Sequence, residues 1–141
     1  MDVKNLTIRK AHQLMKSGGV RPHELVEAYK KNIIEKNDTI HAYLEVFQDG
    51  EFQADTAEEM FKNGKATLLT GIPLAIKDNI LLQGRVASAG SHILEHFTSP
   101  YDSTASAKMK AEGVVFLGRT NMDEFAMGGS TENSAFGITR N

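Results

Sequence analysis

The segment LLTGIPLAIKDNILL, residues 68–82, sets a lysine and an aspartate inside an otherwise apolar run. After Pro73 the run is typical of a buried β-strand that ends at Lys77, and Asp78 and Asn79 follow directly. A buried ammonium group is costly, and it responds by losing its proton or by pairing with a carboxylate. The pattern alone leaves two interpretations open. Lys77 is either a perturbed lysine that serves as a general base, or a strand-end lysine whose side chain reaches water.

Composition narrows the class of protein. The chain has 141 residues, of which 40% are apolar and 24% charged, as in an ordinary globular domain. A net charge of −2 gives no general attraction to nucleic acid or to an anionic membrane. Cysteine is absent from the sequence, which excludes a thiol nucleophile and a cysteine metal site. Because the sequence has no signal-peptide pattern and no apolar run of membrane-spanning length, we expect a cytoplasmic protein with no membrane partner.

Helix-capping residues, prolines and glycines divide the chain into predicted helices and strands. Helical segments precede and separate the apolar runs that are typical of central strands, so the sequence predicts an α/β fold with a mixed, mostly parallel sheet. The predicted helices are one capped by Thr7 and ended by Gly18-Gly19, one that begins at Pro22, one over 51–62, one over 103–112 capped by Asp102 and a short one over 122–126. A helical turn is predicted over 91–97. The predicted strands cover 42–47, the run that ends at Lys77, and 114–117.

The last stretch, residues 118–141, is rich in Gly, Ser, Thr and Asn and contains no closing helix. Compact domains rarely end in so long an irregular segment, whereas functional loops often have this composition. We therefore expect the chain to be a fragment: a single partial domain with N-terminal helices over about 1–64 and the start of an α/β core over 65–141. A partial sheet leaves apolar faces and strand edges uncovered, so the isolated segment is expected to fold poorly.

Two short patterns are weak candidates for sites. His92-Ile93-Leu94-Glu95-His96 has the H-x-x-E-H spacing of one metalloprotease class, but zinc needs a third protein ligand, and an amphipathic turn explains the pattern better. We predict no metal site. The sequence Gly128-Gly129-Ser130 could present backbone donors to a phosphate, yet no GxGxxG or GxxxxGK[ST] motif is present, which favours a plain turn at that point.

A lysine base also requires a nucleophile. Lysine activates serine in some variants of the serine-hydrolase arrangement. None of the serines in this chain lies in a GxSxG elbow or an SxxK pair. The sequence motifs taken alone therefore indicate a candidate base, Lys77, but no candidate nucleophile.

Two long motifs resemble a known family. GIPLAIKDN, residues 71–79, is similar to the segment that carries the lysine of the amidase signature family. GRTNMDEFAMGGSTENSAFG, residues 118–137, resembles the A subunits of glutamyl-tRNA(Gln)/aspartyl-tRNA(Asn) amidotransferases within that family, and the opening ELVEAY, residues 24–29, fits the same subunits. The resemblance covers essentially the whole chain and implies the N-terminal part of the amidase signature fold.

The resemblance implies roles for individual residues. Lys77 matches the lysine of a Ser–cis-Ser–Lys triad, with burial by its apolar flanks expected to lower its pKa. Asp78 and Asn79 are expected to hold the local backbone and orient the amine. The residues that match a loop lining the substrate pocket are Met127, Gly128, Gly129 and Ser130. The usual pattern there is MGSS, so Gly129 removes one hydroxyl.

The sequence also departs from the family at two other points. Ala89 stands where these proteins commonly have a cysteine, which we expect to alter packing only. Both triad serines belong to Gly/Ser-rich motifs that follow the TRN segment in the family, and this chain stops at the TRN asparagine, Asn141. The chain alone is therefore expected to be inactive.

The implied activity is the release of ammonia from glutamine. In the family, ammonia passes to a B subunit that uses ATP and Mg to amidate misacylated Glu-tRNA(Gln) or Asp-tRNA(Asn), and a small C subunit clasps the other two together. The A subunit is expected to need no cofactor of its own. Two alternatives remain: a stand-alone amidase of the same family, and a non-catalytic remnant that binds a partner subunit through its N-terminal helices.

Overall fold

The computed structural model describes residues 3–141 as helices packed on a small sheet. The helices are α1 (Ile8–Lys16), α2 (Pro22–Ile40), α3 (Gly50–Lys62) and α4 (Thr104–Ala111), and the strands are β1 (Tyr43–Val46), β2 (Pro73–Lys77) and β3 (Val115–Thr120). Short 3-10 turns lie at His92–Leu94 and Glu124–Ala126.

Local signals fix most of the helix ends. The Thr7 side chain accepts the N–H of Lys10 at 3.3 Å, which confirms the predicted cap of α1. The cap predicted for α4 is wrong by one residue. Ser103, not Asp102, accepts the N–H of Ser106, at 3.2 Å. The Asp102 carboxylate instead accepts the Gln83 N–H at 2.7 Å and pairs with a lysine of α4, so it is drawn away from the helix end.

The sheet is mixed and has the strand order β1-β3-β2. β2 runs parallel to β3, and β1 runs antiparallel to it. The predicted α/β class is therefore confirmed, with one parallel and one antiparallel pairing. β3 extends three residues beyond the predicted strand because Gly118, Arg119 and Thr120 pair with both neighbours. As a consequence the carboxyl ends of β2 and β3 lie side by side, with Lys77 opposite Thr120.

The two faces of β3 are buried in different apolar clusters. One face packs against α2 and α3, and the other against the segment that follows β2, as expected for a central strand that is buried on both sides. The first cluster contains Val26, Ile33, Ala54, Val115 and Leu117, and the second contains Phe47, Ile76, Leu82, Val114 and Phe116. This core holds the ends of β2 and β3 in place.

No helix within residues 3–141 combines the length and the apolar character needed to cross a bilayer.

Candidate active site

Lys77 is the last residue of β2, and its side chain is exposed. The expectation that its apolar flanks bury it is wrong. Burial alternates along the strand, with Ile76 and Asp78 buried and Lys77 between them exposed, because successive side chains of a strand point to opposite sides. Within residues 3–141, no hydrogen bond or ion pair is made by the Lys77 amine. Its catalytic role stays a prediction.

The buried charge of this segment is Asp78, which is only 1% exposed. Its carboxylate accepts the backbone N–H groups of Ser88 at 3.1 Å and Gly90 at 2.9 Å, together with a short hydrogen bond from the Ser88 hydroxyl. The guanidinium of Arg119 donates to the same carboxylate at 2.7 Å. A buried carboxylate with four donors is fully compensated. Asn79, by contrast, is exposed.

Arg119 joins three strand segments through one side chain. It lies on β3, its Nη1 donates to Asp78 after β2, and its Nε donates to Glu45 on β1 at 2.9 Å. The side chain is 13% exposed, so both ion pairs are partly shielded from water. Sequence reasoning gave Arg119 no role beyond its place in the second motif. The signal that could have identified it is the acid at position 78, since a buried acid in an apolar run requires a cation nearby.

The loop over residues 88–90 connects Asp78 to the second motif. The N–H of Ala89 donates to the Asp78 main-chain oxygen at 3.1 Å, and the Ala89 oxygen accepts the Phe125 N–H at 2.8 Å. Gly90 lies against the main chain of Met122, where an added Cβ would be 2.6 Å from the carbonyl oxygen. Gly90 also has a φ of +67°, a conformation that glycine adopts readily. The two motifs are thus in direct backbone contact.

Asp123 organises the predicted substrate loop, residues 127–130, which we call the 127–130 loop. The side chain is buried, and its carboxylate accepts the backbone N–H groups of Ser130 at 3.0 Å, Thr131 at 2.9 Å and Asn133 at 2.9 Å. An added Cβ on Gly128 would lie 2.6 Å from the Asp123 Oδ2, so the loop approaches the carboxylate closely. Sequence reasoning did not single out Asp123, because its partners are backbone groups that leave no mark in residue types.

The backbone around the 127–130 loop is strained. Phe125, Ala126 and Thr131 are non-glycine residues with φ values of 51°, 62° and 63°. Each such left-handed residue costs about 1–2 kcal/mol, and it persists only where the surroundings fix it. The loop itself faces outward, and Met127 is 80% exposed. Strain of this kind next to exposed groups is common at binding sites.

Adjacent glycines in the loop should respond differently to substitution. We expect Gly128→Ala to destabilise the protein by about 1–3 kcal/mol, because the new methyl group would overlap the Asp123 carboxylate. Gly129→Ser, which installs the residue usual in the family, should change stability by less than about 0.5 kcal/mol, because no atom lies within 4 Å of its Cβ position. Urea unfolding of the complete gene product with either substitution measures the two changes in the free energy of unfolding. Equal losses would contradict the geometry.

Asp123 should also make stability depend on pH. The backbone N–H groups of Asn133 and Thr131 hold the pKa of the Asp123 carboxyl below its ordinary value. A carboxyl whose folded pKa lies below its unfolded value, about 3.9, stabilises the fold above that pH and loses its contribution as pH falls through the folded pKa. We therefore expect the difference in unfolding free energy between wild type and Asp123→Asn to shrink as pH falls from about 6 to about 2.

The matched control is Asp38→Asn, since Asp38 is exposed on α2. The pH dependence of the Asp123→Asn difference should exceed that of the Asp38→Asn difference over the same pH range. Thermal unfolding in a pH series provides the measurement. A constant difference for Asp123→Asn would show that its three N–H contacts do not favour the charged form.

The histidine pattern does not form a helical metal site. Residues His92–Leu94 form a 3-10 turn, so the i, i+4 spacing does not place both rings on one face of an α-helix. His92 Nδ1 lies 2.8 Å and His96 Nε2 lies 3.5 Å from the Glu95 carboxylate, and both rings are largely exposed. Among the described residues, no group of three His, Cys, Asp or Glu side chains is arranged to hold a metal ion.

The sequence is similar to those of amidases along most of its length. Residues 24–141 match the sequence model of the family described as Amidase. The chain is 47% identical over 142 positions to the A subunit of the glutamyl-tRNA(Gln) amidotransferase of Ruminiclostridium cellulolyticum, a match that covers 100% of this chain and 29% of that protein. This chain thus spans about 29% of the length of the curated relatives it matches.

Solved structures share the fold of this chain. The peptide amidase of Stenotrophomonas maltophilia superposes with a TM-score of 0.89 and 28% identity, over 98% of this chain and 30% of that one. The A subunit of the glutamyl-tRNA(Gln) amidotransferase of Thermotoga maritima gives a TM-score of 0.76 and 35% identity, over 100% of this chain and 28% of that one. The predicted N-terminal part of the amidase signature fold is confirmed by these likenesses.

Proposed function

This chain belongs to the amidase family, and from that premise we propose that it forms part of the glutaminase component of a tRNA-dependent amidotransferase. The observation that carries the proposal is the 47% identity along the whole chain to the A subunit of a glutamyl-tRNA(Gln) amidotransferase. The higher TM-score with a peptide amidase does not outweigh it, because that identity is only 28% and the fold is common to many amide-cleaving enzymes. Sequence identity therefore favours the amidotransferase over other amidases.

The proposed reaction is hydrolysis of the glutamine side-chain amide through an acyl-enzyme. Lys77 takes a proton through a bridging cis-serine, and the activated serine attacks the amide carbon. The C–N bond breaks, the nitrogen leaves as ammonia after receiving the proton, and water then frees glutamate from the serine. Both serines are expected from a part of the protein that this chain does not include. The exposed amine of Lys77, at the end of β2, is accessible to such groups.

The proposed substrate contacts come from the 127–130 loop. Asp123 holds the main chain of the loop at Ser130, and the side chains of Met127 and Ser130 are exposed. The Ser130 hydroxyl donates to Glu132 at 2.7 Å. Gly129 contributes main-chain groups only, so substrate binding at that position would not use a side-chain hydroxyl.

The proposed complex is the one that the sequence resemblance implies. Ammonia would pass to a B subunit, which uses ATP and Mg to amidate Glu-tRNA(Gln) or Asp-tRNA(Asn), and a C subunit would hold the other two together in the cytoplasm. The A subunit needs no cofactor in this scheme. A net charge of −2 on the chain supports tRNA contacts made mainly by other subunits, since backbone phosphates are bound by basic surfaces.

A glutaminase assay on the complete gene product tests the proposal. We expect release of glutamate and ammonia from glutamine, and a higher rate when the B subunit, ATP and misacylated tRNA are added. Comparing Glu-tRNA(Gln) with Asp-tRNA(Asn) identifies the acceptor. No glutamine hydrolysis under any of these conditions would overturn the proposal.

The second candidate is a stand-alone amidase, which the close structural likeness to a peptide amidase favours. It predicts hydrolysis of peptide or other small amides without partner subunits, and no response to tRNA. Co-purification with a partner but no hydrolysis of any amide would instead indicate a non-catalytic binding protein.

A further inference from the structure

We propose that Asp123 is a positioning residue that sets the conformation of the 127–130 loop for substrate binding. This inference rests on the proposed function, because it assumes that the loop contacts the amide substrate. Asp123 does not touch the reacting atoms in this account. Its carboxylate acts through the backbone that it holds.

Three backbone donors converge on the buried side chain of Asp123. Asp123 Oδ2 accepts the N–H groups of Ser130 and Thr131, and Oδ1 accepts that of Asn133. Asp123 is 4% exposed although the loop around it is exposed. Because Met127 and Gly129 pack against little else, the loop has no apolar core of its own. The Asp123 carboxylate therefore anchors the end of the loop at Ser130 and the chain directly after it at Thr131 and Asn133.

Asp123 is also connected to the end of β2, where Lys77 lies, through Asp78 and Gly90. Asp78, the residue after Lys77, holds the N–H of Gly90. Gly90 in turn packs against the main chain of Met122 and Asp123, where an added Cβ would lie 3.3 Å from the Asp123 carbonyl oxygen. The Asp78 carboxylate, the loop over 88–90 and the main chain of Asp123 therefore form a continuous path of contacts from the residue next to Lys77 to the 127–130 loop. Substitution of Asp123 therefore removes the hydrogen bonds at the 127–130 loop and leaves the contacts of Asp78, next to Lys77, intact.

The hydrogen bonds of Asp123 require two acceptor oxygens, which a carboxylate provides. Three N–H groups need acceptors on both carboxylate oxygens, and an asparagine of the same shape offers only one oxygen. Its NH₂ group would face a backbone donor and leave that donor unpaired. Asp123→Asn is thus a change of hydrogen bonding with almost no change of volume.

The experiment measures steady-state kinetics of the complete gene product. We expect Asp123→Asn to raise KM for glutamine by about tenfold while kcat changes less than about threefold, the pattern of lost substrate binding with intact chemistry. Hydrogen exchange should show faster exchange of amides in residues 128–133. The matched control is Asp102→Asn, which also removes a carboxylate that accepts a backbone N–H, here from Gln83. It should leave KM and loop exchange unchanged.

The outcomes separate this inference from the proposed function. An unchanged KM in Asp123→Asn, or an equal rise in Asp102→Asn, would overturn the positioning role while wild-type glutaminase activity still supports the function. If the wild type hydrolyses a peptide amide and not glutamine, the function fails, and the same KM comparison with that amide tests the inference. A wild type that hydrolyses neither substrate overturns both.

Discussion

Lys77→Ala is expected to lower glutamine hydrolysis by the complete gene product at least about 10³-fold. In the proposed mechanism Lys77 is one member of a catalytic triad, and removing such a member costs that much or more. Assembly with partner subunits should be unaffected. The Lys77 side chain is exposed and contributes no hydrogen bond or ion pair among the residues that the structure describes, so its removal leaves the fold intact. Single-turnover measurement of glutamate release, together with gel filtration of the complex, tests both parts.

Two further variants separate a base from a simple positive charge. Lys77→Arg keeps the charge but cannot supply a neutral amine, and it should be as inactive as the alanine variant. Lys65→Ala removes another exposed lysine near the start of the same segment and should retain full turnover. Activity retained in Lys77→Arg would indicate that Lys77 acts through its positive charge. Near wild-type turnover in Lys77→Ala would show that Lys77 has no part in the mechanism.

Asp78→Ala is expected to destabilise the protein by about 3–5 kcal/mol, the cost of breaking a buried ion pair by removing one partner. Arg119, 13% exposed, would lose its innermost acceptor, and the loop over 88–90 would lose the carboxylate that holds two of its N–H groups. Chemical unfolding monitored by circular dichroism measures the change. Asn79→Ala, at the exposed neighbouring position, should stay within about 0.5 kcal/mol of wild type.

A double-mutant cycle isolates the pair itself. Arg119→Met should restore part of the stability lost in Asp78→Ala, because the buried cation that Asp78→Ala leaves with Glu45 as its one carboxylate partner is then absent. Glu45→Ala removes the more exposed acceptor of Arg119 and should cost about 1 kcal/mol or less. Purely additive effects of the Asp78 and Arg119 substitutions would show that the ion pair contributes nothing to the fold.

Local structure was largely predictable from residue types. The cap at Thr7, the start of α2 at Pro22 and the strand that ends at Lys77 all depend on groups within about four residues of each other. The one wrong cap, Asp102, failed because its carboxylate is used by a residue 19 positions away. Sequence reasoning also identified the 127–130 loop by resemblance, but not the buried aspartate that holds it.

The sequence by itself determined the helices, the apolar strands, the α/β class and the two motifs that place the chain in its family. Only the tertiary structure decided which charge of the Lys77-Asp78 pair is buried. Strand alternation allows either one, and the choice depends on Arg119, which lies 41 residues further along the chain and reaches Asp78 only when β2 and β3 are paired. The order of residue types along a segment determines whether it forms a helix or a strand, whereas the burial of a charged side chain depends on a partner that folding brings beside it.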